Sequence, residues 1–228
     1  NQGAYGTCVA WAAGYNLKTF LEAKDHNYAT HELQSPDKQF SPKYLFWAIP
    51  NNDKGENCGG TGFEVALDVM IQKGIPPLSE VPYEDLGDCS SATLSSWDSE
   101  AASYKIKNYR RIDYNIDNVK SYLAQERAVV IGAKLGDNFM SWNSSSVIYS
   151  DTYLNPGMQH AYHAMILSGY DDNKGMNGAF RVVNSWGEGW GDDGYIWVDY
   201  NFFQTEFCFA TYIATNELSN PDDDDDNN

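Results

Sequence analysis

The spacing of apolar residues changes about halfway along this 228-residue chain, and that change most constrains its fold. In the first half, apolar residues recur at three- and four-residue steps, which is the pattern of helices with one buried face. After about residue 104 the apolar runs are short and are separated by Gly, Asn and Asp, which is typical of strands joined by turns. Helices followed by strands predict an α+β protein with two lobes. A cleft between lobes is a common place for chemistry.

Capping and breaking residues set the predicted boundaries. Helices are predicted at 8–24, with Thr7 as the N-cap, at 41–49, which opens with Ser-Pro, and at 61–73, which Gly74 ends. Strands are predicted at 128–133, 164–170, 179–186 and 195–198. The domain prediction is a mainly helical lobe over 1–106, a mainly β lobe over 107–215 and an acidic disordered tail or linker over 216–228.

The chain is strongly acidic, with 32 acidic and 15 basic residues and a formal net charge of −17. Such a surface repels nucleic acids and anionic membranes, so neither is expected as a partner. An uninterrupted apolar run of about 18 residues, which a membrane span would need, does not occur in the sequence. The four cysteines include no Cys-x-x-Cys pair, so no metal site is expected.

Cys8 is the cysteine whose position indicates chemistry. It opens the first predicted helix, and a helix N-terminus carries partial positive charge and unpaired N–H groups. Both favour the thiolate, which is the nucleophilic form of cysteine. The side-chain amide of Gln2 and the backbone N–H of Cys8 can donate to one point above the sulfur. Two such donors would form an oxyanion hole.

His163 and Asn184 are predicted to meet across a hairpin. The segment 171–175, Asp-Asp-Asn-Lys-Gly, is rich in turn formers. A hairpin centred there pairs residues whose numbers sum to about 347, which sets His163 opposite Asn184 and Leu167 opposite Phe180. An amide carbonyl facing an imidazole fixes the ring through one N–H and leaves the other nitrogen to take and return a proton.

Trp186 follows Asn184 by two residues in a glycine-rich segment. Its ring is expected to cover the hydrogen bond between Asn184 and His163, because exclusion of water strengthens such a bond. Trp186 is therefore predicted to line the site.

Taken together, these motifs resemble the papain family of cysteine peptidases. The matching segments are Gln2-Gly3-x-x-Gly6-Thr7-Cys8, Cys58-Gly59-Gly60, His163-Ala164 running to Gly169-Tyr170, and Asn184-Ser185-Trp186-Gly187 running to Gly194-Tyr195-Ile196. They occur in this order and spread over roughly residues 1–212. The resemblance implies a helical lobe and a β-barrel-like lobe with the active site in the cleft between them.

The resemblance also implies a mechanism. Cys8 and His163 would form a thiolate–imidazolium pair, Asn184 would orient the histidine, and Gln2 would complete the oxyanion hole. The expected reaction is hydrolysis of peptide bonds through an acyl-enzyme, by an endopeptidase that needs no cofactor. The expected partners are peptide or protein substrates and an inhibitory propeptide upstream, and the enzyme is expected to be a monomer.

Further positions match by resemblance. Gly59 and Gly60 stand where family members pair backbone to backbone with an extended peptide substrate. Gly132 and Ala161 match the wall of the pocket for the substrate's second residue, and their small size predicts room for a bulky apolar side chain. Cys89 stands where a bridge-forming cysteine is expected, so a disulfide between Cys58 and Cys89 is implied. A disulfide indicates a secreted, periplasmic or lumenal location.

The chain also departs from the family pattern. Tyr5 stands where the family's nucleophile signature has a cysteine, so the disulfide usually anchored there is absent. Cys208 has no evident partner and is expected to be a buried apolar residue. His163 follows Cys8 by 155 residues, against a usual separation of about 130–150. These departures indicate a divergent member, for which a bacterial source is one option.

Three other interpretations stay open. The first is a catalytically silent papain-like binding protein, which loss of any one catalytic residue would have favoured. The second is an acyltransferase or amidase that uses the same triad with a different acyl acceptor. The third is an acidic calcium-dependent surface protein, which rests only on the aspartates at 222–226.

Overall fold

The computed structural model describes residues 1–216. Its α-helices are α1 Lys18–His26, α2 Pro42–Ala48, α3 Phe63–Gln72, α4 Ser95–Ala101, α5 Ile116–Ala124, α6 Asp137–Met140 and α7 Tyr200–Phe202. Its strands are β1 Ile106–Arg111, β2 Val129–Leu135, β3 Val147–Ile148, β4 Ala161–Asp171, β5 Ala179–Val183, β6 Tyr195–Asp199 and β7 Cys208–Asn216. Within this range, no helix is long and apolar enough to cross a membrane.

The first helix differs from its prediction in winding and in capping. Its opening section, Ala10–Leu17, is a π-helix that continues directly into α1. Thr7 does not cap it with its side chain: the Thr7 carbonyl accepts from the N–H of Trp11 at 2.9 Å, while the Thr7 hydroxyl bonds to the hydroxyl of Tyr83 at 2.9 Å. Wide helical turns of this kind are frequent at functional sites.

The next two helices form where their capping residues predict. Ser41 precedes α2, and its hydroxyl accepts a hydrogen bond from the N–H of Tyr44 at 3.1 Å, with Pro42 in the first turn. Helix α3 stops before Gly74, whose φ of +81° suits glycine and few other residues. Both predictions are confirmed to within two residues.

The strands form one seven-stranded sheet in the order β1-β7-β2-β4-β5-β6-β3. Within residues 1–216, only the short β3 runs parallel to its neighbour, and the other pairs are antiparallel. Strands β2, β4, β5 and β6 correspond to the predicted strands. Strands β1, β3 and β7 were missed, since their sequences lack a clear apolar alternation bounded by turn residues.

The predicted register of the β4–β5 hairpin is wrong by two positions. Leu167 pairs with Val182 rather than with Phe180, and a bulge between Leu167 and Gly169 shifts the register once more, so that Tyr170 faces Phe180. The physical reason is the turn, which extends to Gly178 at a φ of +82° and so lies further along the chain than its Asp-Asp-Asn start suggests.

The sheet separates two apolar cores. Val130 of β2 packs with the helices of the first half, whereas its neighbours Val129 and Ile131 point into a second core on the other face. Strand β4 alternates in the same way, with Ile166 in the first core and Met165 in the second. Helices α1–α4 come before the first strand, and strands β1–β7 follow in the second part of the chain. This order confirms the predicted α+β class.

The last described residue belongs to the folded body, which corrects the predicted tail boundary. Asn216 ends β7 and is 3% exposed. Its side-chain amide donates to Glu22 at 2.8 Å and to Asp25 at 2.9 Å, and its carbonyl accepts from the buried ammonium of Lys18 at 2.9 Å. The rest of the predicted tail, 217–228, lies outside the described residues.

The implied disulfide between Cys58 and Cys89 is present. It joins the loop before Gly59 to a loop 31 residues further on. The bridge therefore fixes the segment that leads into Gly59 and Gly60, the two glycines of the predicted substrate edge.

Cys208 is a buried free thiol, and burial raises its pKa to about 12. This is expected of an inert apolar residue.

Replacement of both bridge cysteines, Cys58→Ser with Cys89→Ser, should lower the free energy of unfolding by about 3–4 kcal/mol, the loop-closure estimate for this separation. Urea denaturation of the oxidised wild type and of the double variant measures the difference. Reductant should bring the wild type to the midpoint of the variant and leave the variant unchanged. Equal midpoints for the two oxidised proteins would show that the bridge contributes nothing to stability.

Candidate active site

Cys8 lies in the first turn of the N-terminal helix as a half-buried free thiol. Burial raises the pKa of the Cys8 thiol, and backbone hydrogen bonds involving Ala164, Val9 and Cys8 itself oppose that rise. The helix N-terminus was predicted to favour the thiolate. For the thiol considered alone, burial outweighs that effect and the pKa of Cys8 is raised. The contact with Ala164 places the sulfur beside the strand residue that follows His163.

His163 lies near the start of β4 and is 6% exposed. Its Nε2 is 2.8 Å from Oδ1 of Asn184. Because a carbonyl oxygen only accepts, Nε2 carries the proton and Nδ1 is left as the free acceptor of the neutral ring. Burial lowers the pKa of His163 to about 4, against a smaller opposing effect of the Asn184 hydrogen bond.

Asn184 reaches His163 from just beyond the end of β5. Its backbone N–H donates to the carbonyl of Gly194 at 3.0 Å, and its Oδ1 also accepts from the N–H of Ser185 at 2.8 Å. Asn184 and His163 are not paired in the register of β4 and β5, because Asn184 lies one residue beyond Val183, the last paired residue of β5. The side chain of Asn184 reaches His163 diagonally. The ring of Trp186 lies 4.9 Å from that of His163 at an interplanar angle of 35°, where it covers the pair.

Gln2 is held against the same segment as Asn184. Its backbone N–H donates to the carbonyl of Ser185 at 2.8 Å, and its side-chain oxygen accepts from the Ser185 hydroxyl. One N–H of its amide donates to the carbonyl of Tyr5 at 3.0 Å, and the amide nitrogen carries a second N–H. The hydroxyl of Tyr83 donates to the Gln2 carbonyl at 3.0 Å. No role for Ser185 or Tyr83 could be predicted from the sequence, because a single serine or tyrosine carries no distinguishing pattern.

The two glycines of the predicted substrate edge lie directly against the loop before Cys8. A Cβ at Gly6 would be 2.4 Å from the carbonyl carbon and oxygen of Gly59, so only glycine fits there. Gly60 has a φ of +152°, and its N–H donates to the carbonyl of Lys54 at 3.1 Å. That N–H is thus already paired within the protein, which the sequence prediction of substrate pairing at Gly60 did not anticipate.

The open space predicted beside Gly132 is filled by the side chain of Phe209. A Cβ at Gly132 would be 2.6 Å from the ring of Phe209, so an aromatic side chain of the protein fills that space. Tyr162, next to the exposed Ala161, is itself 66% exposed and packs edge-on against Phe209 at 5.2 Å. The expectation of open space at this glycine is corrected accordingly.

No group of three or more His, Cys, Asp or Glu side chains that could hold a metal ion occurs in residues 1–216. The chemistry available at the described site is that of a thiol, an imidazole and amide donors. A thiol beside an oriented imidazole can be deprotonated and can attack an electrophilic carbonyl, and amide donors can stabilise the resulting oxyanion.

Gly6→Ala tests the close approach of the loop before Cys8 to Gly59. The added methyl group must displace backbone atoms, so the free energy of unfolding should fall by about 1–3 kcal/mol. Gly189→Ala is the matched control, because a Cβ there meets nothing within 4 Å. Urea denaturation compares the two variants, and an equal effect of both would contradict the packing described here.

Comparisons with known proteins agree with this geometry. A family model described as papain family cysteine protease matches residues 1–212. Cathepsin K of Gallus gallus is 30% identical over 217 residues, which are 94% of this chain and 58% of that protein. Peptidase 1 of Psoroptes ovis is 26% identical over 200 residues, which are 86% of this chain and 54% of that protein. The chain thus spans little more than half the length of these two relatives.

Solved structures share the fold. A cysteine protease of Xylella fastidiosa, xylellain, has a TM-score of 0.75 at 24% identity, with 95% of this chain and 81% of that chain covered. A digestive procathepsin of Tenebrio molitor larval midgut has a TM-score of 0.70 at 22% identity, with 94% and 63% covered. The fold is therefore papain-like, as the resemblance implied. The match over nearly the whole described range places this chain in the papain family of cysteine proteases.

Proposed function

We propose that this chain is a cysteine peptidase in which Cys8 is the nucleophile, His163 the general base and acid, and Asn184 the residue that orients the histidine. The observation that carries the proposal is the 2.8 Å hydrogen bond from His163 to Asn184. It places the proton on Nε2 and leaves Nδ1 free, and the contact of Cys8 with Ala164 brings the sulfur to the same end of β4.

The reaction begins with transfer of the Cys8 proton to Nδ1 of His163. The thiolate attacks the carbonyl carbon of the scissile peptide bond, and the carbonyl oxygen becomes an oxyanion that accepts from the Cys8 N–H and the free side-chain N–H of Gln2. When the C–N bond breaks, His163 returns its proton to the leaving amine and Cys8 is acylated. Water then attacks the acyl-enzyme, His163 takes its proton, and the peptide acid leaves as the thiol is restored.

The electrostatics of the pair support this sequence of steps. Burial alone raises the pKa of the Cys8 thiol and lowers the pKa of His163, so each group by itself prefers the neutral form. Once the proton moves from sulfur to nitrogen, two opposite charges face each other in a site of low dielectric constant. Their attraction then favours the thiolate and the imidazolium together. The ion pair is thus a property of both groups.

The substrates proposed are peptides or proteins, cleaved internally. The edge at Gly59 and Gly60 carries no side chains and offers its backbone carbonyls to an extended chain, since both N–H groups already donate to carbonyls within the protein. The ring of Phe209 beside Gly132 narrows the neighbouring pocket, which favours small side chains at the substrate's second residue. The disulfide between Cys58 and Cys89 supports a secreted, periplasmic or lumenal location. An inhibitory propeptide upstream and a monomeric state are part of the same proposal.

Treatment with a stoichiometric peptidyl epoxide, followed by intact-mass analysis, tests the nucleophile. The wild type should gain one label, because one thiol is activated beside a peptide-binding cleft, and Cys8→Ala should gain none. Cys208→Ala is the control variant: Cys208 is buried, so this variant should still gain the label. An unlabelled but folded, reduced wild type would contradict the proposal and favour a catalytically silent binding protein.

An assay on the same protein sample distinguishes peptidase activity from acyltransferase activity. With a peptide ester substrate and an amino acid amide at no more than the substrate's concentration, a peptidase yields mainly the free acid, since water is its acceptor and the dilute amine competes poorly for the acyl-enzyme. Mass spectrometry of the products measures the ratio. A predominance of the transferred product would support the acyltransferase alternative instead.

A further inference from the structure

Lys54 holds a buried charge beside the predicted substrate edge. The residue is 1% exposed. Its ammonium donates to the carbonyl of Cys89 at 2.6 Å, to Oδ1 of Asn51 at 2.9 Å and to the carbonyl of Trp47 at 3.2 Å. An ammonium has three N–H donors, so these three acceptors satisfy it, and none of them is a carboxylate.

The three acceptors belong to separate segments of the chain. Trp47 lies in the last turn of α2, Asn51 follows that helix, and Cys89 is the far end of the disulfide bridge. The ammonium therefore ties the loop around Lys54 both to α2 and to the loop at Cys89. The bridge from Cys58 reaches the same residue, so a covalent tie and a hydrogen-bonded tie hold the two loops together.

We call residues 54–60 the edge loop, and its backbone has an uncommon conformation. Gly55, Asn57 and Cys58 have φ values of +68°, +52° and +57°. The left-handed region costs energy for a residue other than glycine. A loop with this backbone keeps one conformation only where contacts from outside the loop hold it.

The backbone of Lys54 reaches the substrate edge itself. Its carbonyl accepts from the N–H of Gly60 at 3.1 Å. This N–H and the carbonyl of Gly59 belong to one planar peptide unit, so the hydrogen bond also fixes the direction of that carbonyl. The same carbonyl group packs against Gly6, two residues before Cys8. The position of the edge relative to the sulfur therefore depends on where Lys54 lies.

A buried ammonium is a costly way to stabilise a loop. Burial lowers the pKa of Lys54, and the charge of Asp88 opposes this shift. An apolar side chain of similar volume often gives a protein equal or greater stability than a buried charge does. Directional hydrogen bonds to three segments instead specify one geometry, which an apolar side chain does not. The contacts of Lys54 therefore favour a role in positioning over a role in stability alone.

We propose that Lys54 is a positioning residue for peptide cleavage, whose ammonium holds the edge loop so that Gly59 and Gly60 lie in register with Cys8. This inference rests on the proposed function. Loss of the ammonium should weaken reactions that need a bound peptide and leave the reactivity of the sulfur itself in place. A role in stability alone would leave both unchanged in the folded protein.

The test compares two reagents that attack the same sulfur. A peptidyl epoxide needs the edge and the sulfur in register, whereas iodoacetamide is too small to use the edge. In Lys54→Met the second-order rate of epoxide labelling at Cys8 should fall roughly tenfold or more, because the peptide is misplaced. The iodoacetamide rate at Cys8 should stay as in the wild type. In peptide hydrolysis the same change should raise KM and leave kcat nearly unchanged.

Lys43→Met is the matched control. It removes an equal charge from α2, where the ammonium of Lys43 lies 3.7 Å from the carboxylate of Asp85 and over the ring of Trp47. Lys43 does not contact the edge loop through these groups, so both labelling rates should equal those of the wild type.

Two milder variants carry the same test if Lys54→Met does not fold. Asn51→Ala removes the oxygen that accepts from Lys54, and Asn51→Asp keeps an oxygen there. Both remove the amide N–H that donates to the carbonyl of Ser90 at 3.1 Å, so they differ in the acceptor for the ammonium. Epoxide labelling should be slower in Asn51→Ala than in Asn51→Asp, at equal iodoacetamide rates.

Two results would overturn the inference and leave the proposed function standing. One is an epoxide rate in folded Lys54→Met, or in Asn51→Ala against Asn51→Asp, that does not change. The other is an equal fall in the rates of both reagents, which would place the effect at the sulfur and not at the edge. A folded, reduced wild type that the epoxide does not label would overturn the proposed function, and the inference with it.

Discussion

The site depends on one buried hydrogen bond, from Nε2 of His163 to Oδ1 of Asn184. It fixes the ring orientation, selects the tautomer and thereby decides which nitrogen is free to accept a proton. The ring of Trp186 packs against that of His163 beside this bond, and an apolar neighbour of this kind strengthens a hydrogen bond by lowering the local dielectric constant. The same burial makes an isolated imidazolium costly, so the histidine can hold a second proton only when a negative charge lies near it. The thiolate of Cys8 is the group suited to supply that charge.

The N-terminal segment connects Cys8, the proposed nucleophile, to distant parts of the chain. Gln2 is hydrogen-bonded to Ser185, the residue after Asn184. The hydroxyl of Tyr83 links Gln2 to Thr7, directly before Cys8. On its other side, Gly6 packs against the backbone of Gly59, which the neighbouring disulfide restrains. The position of the sulfur is thus set by contacts with both lobes. This arrangement explains why glycine stands at position 6, where a Cβ would collide with the backbone of Gly59.

Much of the fold and the main side chains of the site could be predicted from the sequence. Apolar periodicity with clear caps, as at Ser41 and Gly74, predicted two helices because local interactions decide those boundaries. The hairpin register was wrong because the bulge after Leu167 and the extent of the turn depend on packing that no local pattern encodes. The pairing of His163 with Asn184 nevertheless occurs, since a side chain just beyond a strand end can reach a diagonal neighbour. The space at Gly132 was misjudged because Phe209 comes from a strand that the sequence pattern did not reveal.

An NMR titration of the His163 ring nitrogens, in the wild type and in Cys8→Ala, tests the central claim most directly. Without the sulfur, burial dominates, so Cys8→Ala should show the Nε2–H tautomer and a pKa of about 4 for His163. In the wild type the pKa of His163 should be higher, because the thiolate favours the imidazolium. The same low pKa in both proteins would mean that the proton stays on sulfur and no ion pair forms. An Nδ1–H tautomer would mean that Asn184 does not orient the ring.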